Sequence, residues 1–177
     1  MKKGVITSIG ILLLLLSGNL QITAQQKLSF DLAVVRNMRT ELHGLNLSSF
    51  YHFNERITAG IEMNRFFPAT HKKDGEEMRI AAWDFDLNAH YLMPFNKNWN
   101  LYPVAGISHT SEKEEILKLP GEALYERFWS YNTGAGIIWQ KHNWGLHAEY
   151  LFTWGHINQQ FLLAGFSYEI EWGGGSK

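Results

Sequence analysis

The chain of 177 residues contains no cysteine, which excludes disulfide scaffolds, thiolate zinc sites and cysteine nucleophiles. It has no excess of either charge, with 16 Lys and Arg against 17 Asp and Glu, so a basic nucleic-acid-binding domain is excluded. After residue 25 it has no apolar run long enough for a membrane helix, and it has no internal repeat. It does have 14% aromatic and 45% hydrophobic residues, in a length that fits one folded domain.

The first 24 residues have the three parts of a secretory signal peptide. Lys2 and Lys3 supply the positive start, residues 11–16 are an unbroken run of Ile and Leu, and Ala24 is a small residue suited to cleavage. A retained membrane anchor is the alternative, but the apolar run is short for a spanning helix. We therefore expect a cleaved signal peptide over 1–24, one domain over 25–172 and a flexible glycine-rich tail over 173–177.

Alternation of apolar and polar residues predicts strands throughout the domain. Trp83, Phe85 and Leu87, for example, alternate with Asp84 and Asp86. Eight segments follow this pattern, so the expected fold class is all-β. The predicted strands lie near residues 28–34, 45–53, 57–64, 82–91, 101–108, 129–139, 144–154 and 162–172.

The connections between these strands alternate in length. An even number of antiparallel strands with short turns at one end and longer loops at the other is typical of a transmembrane barrel with short periplasmic turns and longer extracellular loops. Short turns are expected near 54–56, 95–98 and 141–143, and longer, more charged loops near 37–42, 68–77, 110–127 and 155–159.

The aromatic side chains decide which face of the barrel is outside. A soluble barrel would direct the apolar face inward, but the interior of an eight-stranded barrel is just wide enough for side chains or one small ligand. The rings would overfill it, so we expect them to face lipid and to form girdles at both membrane surfaces. The outer girdle is assigned Trp83, Trp129 and Trp154, and the periplasmic girdle Tyr91, Trp99, Trp139, Trp144 and Trp172.

Two segments carry a resemblance to a known family. The strand at residues 102–106 and the terminal pattern Phe166-x-Tyr168-x-Ile170-x-Trp172 resemble the small eight-stranded outer-membrane barrels, the porin-like family that includes OmpX and the OmpA barrel domain. The resemblance implies a membrane fold in a Gram-negative bacterium. It also implies that the terminal aromatic pattern is read by the barrel-assembly machinery during biogenesis.

Acidic and histidine side chains share the predicted lumen face, which has almost no Lys or Arg. Buried carboxylates must be paired, hydrated or protonated. We interpret this set as a hydrated polar network that rigidifies the barrel, and the alternative is a vestibule that attracts cations. The network comprises Glu62, Asp84, Asp86, His90, His147 and Glu149, with Asp31 and His52 on the same face.

Four arginines lie on the outward face beyond the outer girdle, each on a different predicted strand. Because guanidinium groups bind phosphate bidentately, this collar suits the phosphates of lipopolysaccharide. Ordinary solvated charge is the alternative. The predicted lipopolysaccharide-binding residues are Arg36, Arg65, Arg79 and Arg127, with His156 on a fifth strand.

One motif raises the possibility of an enzyme. His109 and Ser111 lie two apart on one strand face, and Glu112, Glu114 or Glu122 is close enough in sequence to orient the histidine. The arrangement resembles the His-x-Ser motif of outer-membrane lipid A deacylases. Those enzymes have Asn directly after the Ser, whereas Glu112 stands here, so polar loop residues are the favoured interpretation.

The remaining features concern the loops. Histidines His43, His71, His109 and His156 are scattered over different loops without a carboxylate pattern, so no metal site and no cofactor are expected. Asp-Gly at 74–75 and Pro-Gly at 120–121 mark hairpin tips, and along the hairpin over 110–127 we expect the strands to extend beyond the membrane. Such protruding edges can bind a partner strand, and the alternative is that their charged flanks at 112–115 only prevent aggregation.

The sequence therefore predicts a non-enzymatic outer-membrane barrel. Its expected contacts are membrane lipid and lipopolysaccharide, with a possible envelope protein bound through the extracellular loops and no nucleic acid. A lipid A-modifying hydrolase using His109 and Ser111 is one alternative, and a narrow pore for small solutes is another.

Overall fold

The computed structural model describes residues 26–73, 76–117 and 123–172, which form strands joined by turns. None of these residues belongs to a helix long and apolar enough to cross a membrane. The predicted signal peptide, both hairpin tips, Glu122 and the tail lie outside the described residues. In chain order the strands are β1 (Gln26–Asn37), β2 (His43–His52), β3 (Ile57–Phe66), β4 (Ala69–Lys73), β5 (Glu76–Tyr91), β6 (Met93–Pro94), β7 (Trp99–Ile116), β8 (Ala123–Lys141), β9 (Trp144–Gly155) and β10 (Gln159–Trp172).

Eight long strands close into an antiparallel barrel, as the sequence predicts. β1 pairs with β2 on one side and with β10 on the other, and β5 pairs with both β3 and β7. The two short strands prolong this barrel: β4 follows β3 after Pro68 and pairs with β5, while β6 pairs with the start of β7. We call the end with turns 53–56 and 142–143 the lower end, and the opposite end the upper end.

Two segments predicted as long loops are largely strand. β4 and β5 cover most of residues 68–77, and β7 and β8 cover most of 110–127. These extensions carry many charged residues, so apolar alternation does not reveal them, and the expectation of protruding strands over 110–127 rests on the Pro-Gly signal at 120–121 instead. Backbone pairing and contacts such as Lys72 Nζ to Glu77 Oε1, at 3.9 Å, hold the hairpins above the barrel.

Asparagine side chains fix several of the turns. Asn54 Oδ1 accepts hydrogen bonds from the backbone N–H groups of Arg56 and Ile57, both at 2.8 Å. The same arrangement recurs at Asn37 and Asn96. Because the side chain satisfies backbone donors inside each turn, the chain reverses within a few residues and sets the register of the next strand.

The apolar face of the barrel is its outer surface. Tyr131 is 70% exposed and Leu87 is 53% exposed, whereas Asn88, next to Leu87 in the chain, is 1% exposed. Near the lower end, Trp99 lies opposite Trp139 in the ladder between β7 and β8. The volume argument from the sequence therefore assigns the faces correctly.

A charge in the middle of the outward face should impair assembly in a bilayer. Leu87 lies midway between the two predicted girdles, so Leu87→Arg should cost about 2–4 kcal/mol of folding free energy in phospholipid. The measurement is the heat-dependent shift of the barrel on a detergent gel after folding into vesicles. Leu87→Ala is the control, and folding of the arginine variant as efficient as that of the control would contradict the face assignment.

Candidate functional site

A chain of hydrogen bonds crosses the middle of the lumen. Glu62 Oε1 accepts from Asn88 Nδ2 at 2.6 Å, and its Oε2 accepts from Asn46 Nδ2 at 3.2 Å. Asp86 Oδ2 accepts from Asn64 Nδ2 at 2.9 Å. Two of the six predicted network residues, Glu62 and Asp86, are therefore joined through asparagines.

The asparagines are the part of this network that the sequence analysis omitted. Asn46, Asn64, Asn88 and Asn132 are all buried, and Asn132 Nδ2 donates to Asn88 Oδ1 at 3.0 Å. They share the inward parity of the acidic residues, which is the signal that could have identified them. Asp84 is also buried, but neither of its carboxylate oxygens has a hydrogen-bond partner among the described residues.

Below this network lies a cavity of about 40 Å³. All eight barrel strands contribute residues to its lining. The other three predicted network residues, His90, His147 and Glu149, line it. The His90 ring lies between Phe50 and Tyr102, at ring-centroid distances of 4.3 and 4.8 Å. These two contacts fix the orientation of the imidazole.

The upper end of the lumen is filled by apolar side chains. Phe66 and Phe161 stack with their ring centroids 5.9 Å apart, and Leu42 packs in the same buried cluster. The sequence analysis did not anticipate this plug, because these residues lie beside turns and outside the alternating segments. A plug of this kind leaves little room for solute passage.

An ion pair lies over the plug. Arg39, in the turn after β1, places its Nη2 atom 2.6 Å from Glu112 Oε2 on β7. Asn37 Oδ1 accepts from the backbone N–H groups of Arg39 and Thr40, which folds the turn toward the barrel mouth. Burial raises the pKa of the Glu112 carboxyl, and the Arg39 guanidinium opposes that shift.

The predicted arginine collar is outward and exposed at all four positions. Arg65 lies opposite Trp83, Trp83 opposite Ser111, and Ser111 opposite Arg127, so Arg65 and Arg127 share one row of the ladder. With strands about 4.8 Å apart, three strand spacings separate the two arginines by about 14 Å along the row. Arg36, on β1, lies on the other side of Arg65, two strands away across β2 and two residues higher in the ladder.

Arg79 differs from the other three because a carboxylate lies opposite it. Its ladder partner on β7 is Glu115. Lys113 forms an ion pair with Glu115 and lowers the pKa of that carboxyl, and Arg79 adds a smaller effect in the same direction. Arg79 is thus partly compensated within the protein.

His109 and Ser111 share the outward face of β7, but the structure does not assemble them into a catalytic pair. The His109 ring packs edge-on against Trp129, with ring centroids 4.9 Å apart. Among the described residues, no hydrogen bond joins His109 to Ser111. Glu112 and Glu114 lie on the opposite face of the strand by parity, so neither can orient His109.

The four loop histidines do not converge. Within residues 26–73, 76–117 and 123–172, no group of three or more His, Asp or Glu side chains is placed to hold a metal ion. Their positions are spread around the upper part of the barrel: His43, His71, His109 and His156.

A small sheet stands above the upper end of the barrel. It consists of β4 and the upper parts of β5, β7 and β8. The ladder between β8 and β9 starts only at Ser130, so within the part of the chain that the structure describes the stretch of β8 from Ala123 to Trp129 has a free backbone edge. Leu124 and Tyr125, both 63% exposed, lie on this edge strand.

Comparison with solved structures places this architecture among known folds. The chain is similar to Ail of Yersinia pestis (16% identity, 82% of this chain and 96% of that chain, TM-score 0.55). It is similar to the N-terminal β-barrel domain of Pseudomonas aeruginosa OprF (14% identity, 82% of this chain and 98% of that chain, TM-score 0.63). It is also similar to Neisserial surface protein A (11% identity, 84% of this chain and 98% of that chain, TM-score 0.59). No family model and no curated protein sequence matches the chain. The chain has the fold of the small eight-stranded outer-membrane barrels, and identities this low show the fold alone.

Another of these structures is a complex of Ail with the heparin analogue sucrose octasulfate (18% identity, 82% of this chain and 97% of that chain, TM-score 0.58). A barrel of this size can therefore carry a site for a sulfated anion, which in that case belongs to Ail.

The ion pair at the barrel mouth predicts a measurable coupling. Arg39→Ala leaves the Glu112 carboxylate buried without its cation, so it should lower the free energy of unfolding by about 1–3 kcal/mol. The measurement is urea unfolding in vesicles followed by tryptophan emission. Adding Glu112→Gln should restore part of the loss, and Lys113→Ala, which breaks an exposed pair, should change the free energy of unfolding much less than Arg39→Ala does. Equal losses in the free energy of unfolding for Arg39→Ala and Lys113→Ala would contradict the role assigned to the pair of Arg39 and Glu112.

Proposed function

We propose that the protein is an integral outer-membrane barrel without enzymatic activity, exported through the cleaved signal peptide and folded by the barrel-assembly machinery. It binds lipopolysaccharide phosphates at its outward arginines and presents a rigid sheet to an envelope partner. The observation that carries this proposal is the contrast between a filled upper lumen and the exposed, charged structure around and above it.

The filled lumen argues against the pore alternative. Phe66 and Phe161 occupy the upper end, and the pair of Arg39 and Glu112 lies above them. A solute would have to separate stacked rings and leave the buried Glu112 carboxylate without its cation, which makes passage unfavourable.

The surroundings of His109 and Ser111 argue against the lipid A hydrolase. A serine nucleophile needs a base within hydrogen-bond reach and a third group that orients the base. His109 instead contacts Trp129, and the nearest acidic residues on β7 point to the other face. Glu122 lies outside the described residues and offers no support for the triad.

The arginines support a contact with phosphate. Arg65 and Arg127 flank Trp83 on one row of the ladder, at the level where an amphipathic ring suits a membrane surface. Guanidinium groups bind phosphate in a bidentate manner, and neighbouring phosphates on one lipid can engage both residues. Ail bound to a sulfated sugar supports the same kind of anion recognition on this fold.

Removing this pair of arginines should weaken the interaction with lipopolysaccharide. The double variant Arg65→Gln and Arg127→Gln should lose at least about tenfold in affinity, since two charge-assisted contacts are removed. The measurement is the rise in unfolding temperature on adding lipopolysaccharide to the barrel in detergent. Arg56→Gln, at the lower end, is the matched control. A double variant stabilised as strongly as the control would refute the site.

The sheet above the barrel supports a protein contact. An unpaired strand edge offers backbone donors and acceptors to an added strand, and apolar side chains beside it add affinity. The free edge of β8 carries Leu124 and Tyr125, whereas the edge at β4 carries Thr70 and lysines. We assign partner binding to the β8 edge.

Charges on that edge should release a partner. Leu124→Lys with Tyr125→Lys should abolish retention of a stoichiometric protein in a mild-detergent pull-down from native membranes, because lysine on an edge disfavours strand addition. Thr70→Lys, on the opposite edge of the same sheet, should leave retention unchanged. Absence of any stoichiometric partner, or its loss from the Thr70 variant alone, would contradict the assignment.

A further inference from the structure

The cavity in the lower lumen has an unusual charge distribution. Its lining includes four acidic residues and neither Lys nor Arg. The acid nearest the lower end of the barrel is compensated, because Glu169 pairs with Lys27 and accepts a hydrogen bond from Gln140 Nε2 at 2.5 Å. The deeper acids have no cation partner among the described residues: Asp31, Glu62 and Glu149.

Unsatisfied acceptors face this cavity. Glu149 Oε1 and Asp31 Oδ1 have no hydrogen-bond partner among the described residues, and the Glu149 side chain is only 4% exposed. The Nε2 atoms of His90 and His147 are also without a partner there, and the His90 side chain is 10% exposed. His90 Nε2 lies 4.0 Å from Glu149 Oε2, which is too far for a direct hydrogen bond.

Leaving such groups unpaired is costly. A buried carboxylate oxygen without a donor or a cation is strongly disfavoured relative to the same oxygen in water. A species that supplies both positive charge and several N–H donors compensates the carboxylates and the imidazoles together. Phe50 and Tyr102, which hold His90, form an aromatic part of the cavity wall.

We propose that this cavity binds a small primary ammonium group that enters from the lower end of the barrel. An ammonium has three donors and no acceptor, which matches the unpaired carboxylate oxygens of Asp31 and Glu149 in the lining. The cavity volume suits a head of that size, since about 10–15 Å³ holds one water. The plug at Phe66 and Phe161 leaves the lower end as the entrance.

A transition metal fits the same residues less well. No group of three or more His, Asp or Glu among the described residues is placed to coordinate one ion. His90 is held by its two ring contacts and cannot swing freely toward a common centre. The amine is therefore the occupant that the geometry favours, and it binds on the opposite side of the plug from the proposed lipopolysaccharide contact.

Nuclear magnetic resonance of the folded barrel in phospholipid nanodiscs tests the site, with 1,4-diaminobutane as the probe at neutral pH. The ring resonances of His90 and His147 should shift saturably. Glu149→Gln, which keeps the shape of the side chain, should weaken binding by at least about tenfold. Glu171→Gln is the matched control, because Glu171 lies at the lower rim with its side chain 51% exposed and does not line the cavity.

Tetramethylammonium at equal ionic strength should leave the histidine resonances in place, since it is bulkier and has no N–H donor. Equal shifts with both cations, no saturation with the diamine, or equal weakening by Glu149→Gln and Glu171→Gln would each overturn the proposal. Displacement of the diamine by stoichiometric Zn²⁺ would also overturn the proposal, because it would identify a metal ion as the preferred occupant of the cavity. Asp31→Asn provides a second variant if Glu149→Gln does not fold, and the comparison of the two cations needs no variant at all.

Discussion

The pairing of β1 with β10 is the constraint on which the rest of the structure depends. Their ladder runs from Gln26 opposite Trp172 to Asn37 opposite Phe161, and it leaves the barrel wall without an open edge. In lipid, a closed ladder is one of the few ways to satisfy every backbone N–H and C=O group. Once the sheet is closed, each residue must point either into a narrow lumen or outward, so the side-chain pattern becomes a direct map of two environments.

The lumen then has to accommodate polar groups in a narrow space. Its middle solves this with asparagines that bridge carboxylates, as Asn88 does for Glu62. Its upper end has an apolar plug, above which exposed Arg39 pairs with buried Glu112, and its lower end has carboxylate oxygens that face a cavity. The three levels of the lumen therefore differ in chemistry, and this difference separates the proposed contacts of the outer surface from the amine site below.

Much of the fold could be predicted because alternation is a local signal. The alternation around Trp83 and Leu87 can be read directly from the sequence, and both residues lie on the outward face as predicted. The same alternation in eight segments predicts the number of strands. The pairing of Arg39 with Glu112 could not be predicted, because 73 positions separate the two residues and only the closed register brings them together. The alternation does not reveal the extended hairpins, because their many charged residues hide it, and only the turn residues at the tips indicate them. Parity along the strands predicts that the six network residues face the lumen. Their separation into a hydrogen-bonded middle and a lower cavity depends on the register between strands, which parity does not give.

The most direct test of the account is where the tryptophans lie. All seven are on the outward face, so in reconstituted vesicles their emission should be strongly quenched by phospholipids brominated along the acyl chains. An aqueous quencher such as acrylamide should have little effect. Weak quenching by brominated lipid together with protection from both agents would place the rings inside the barrel, and it would contradict the outward aromatic face, the polar lumen and every site assigned to them.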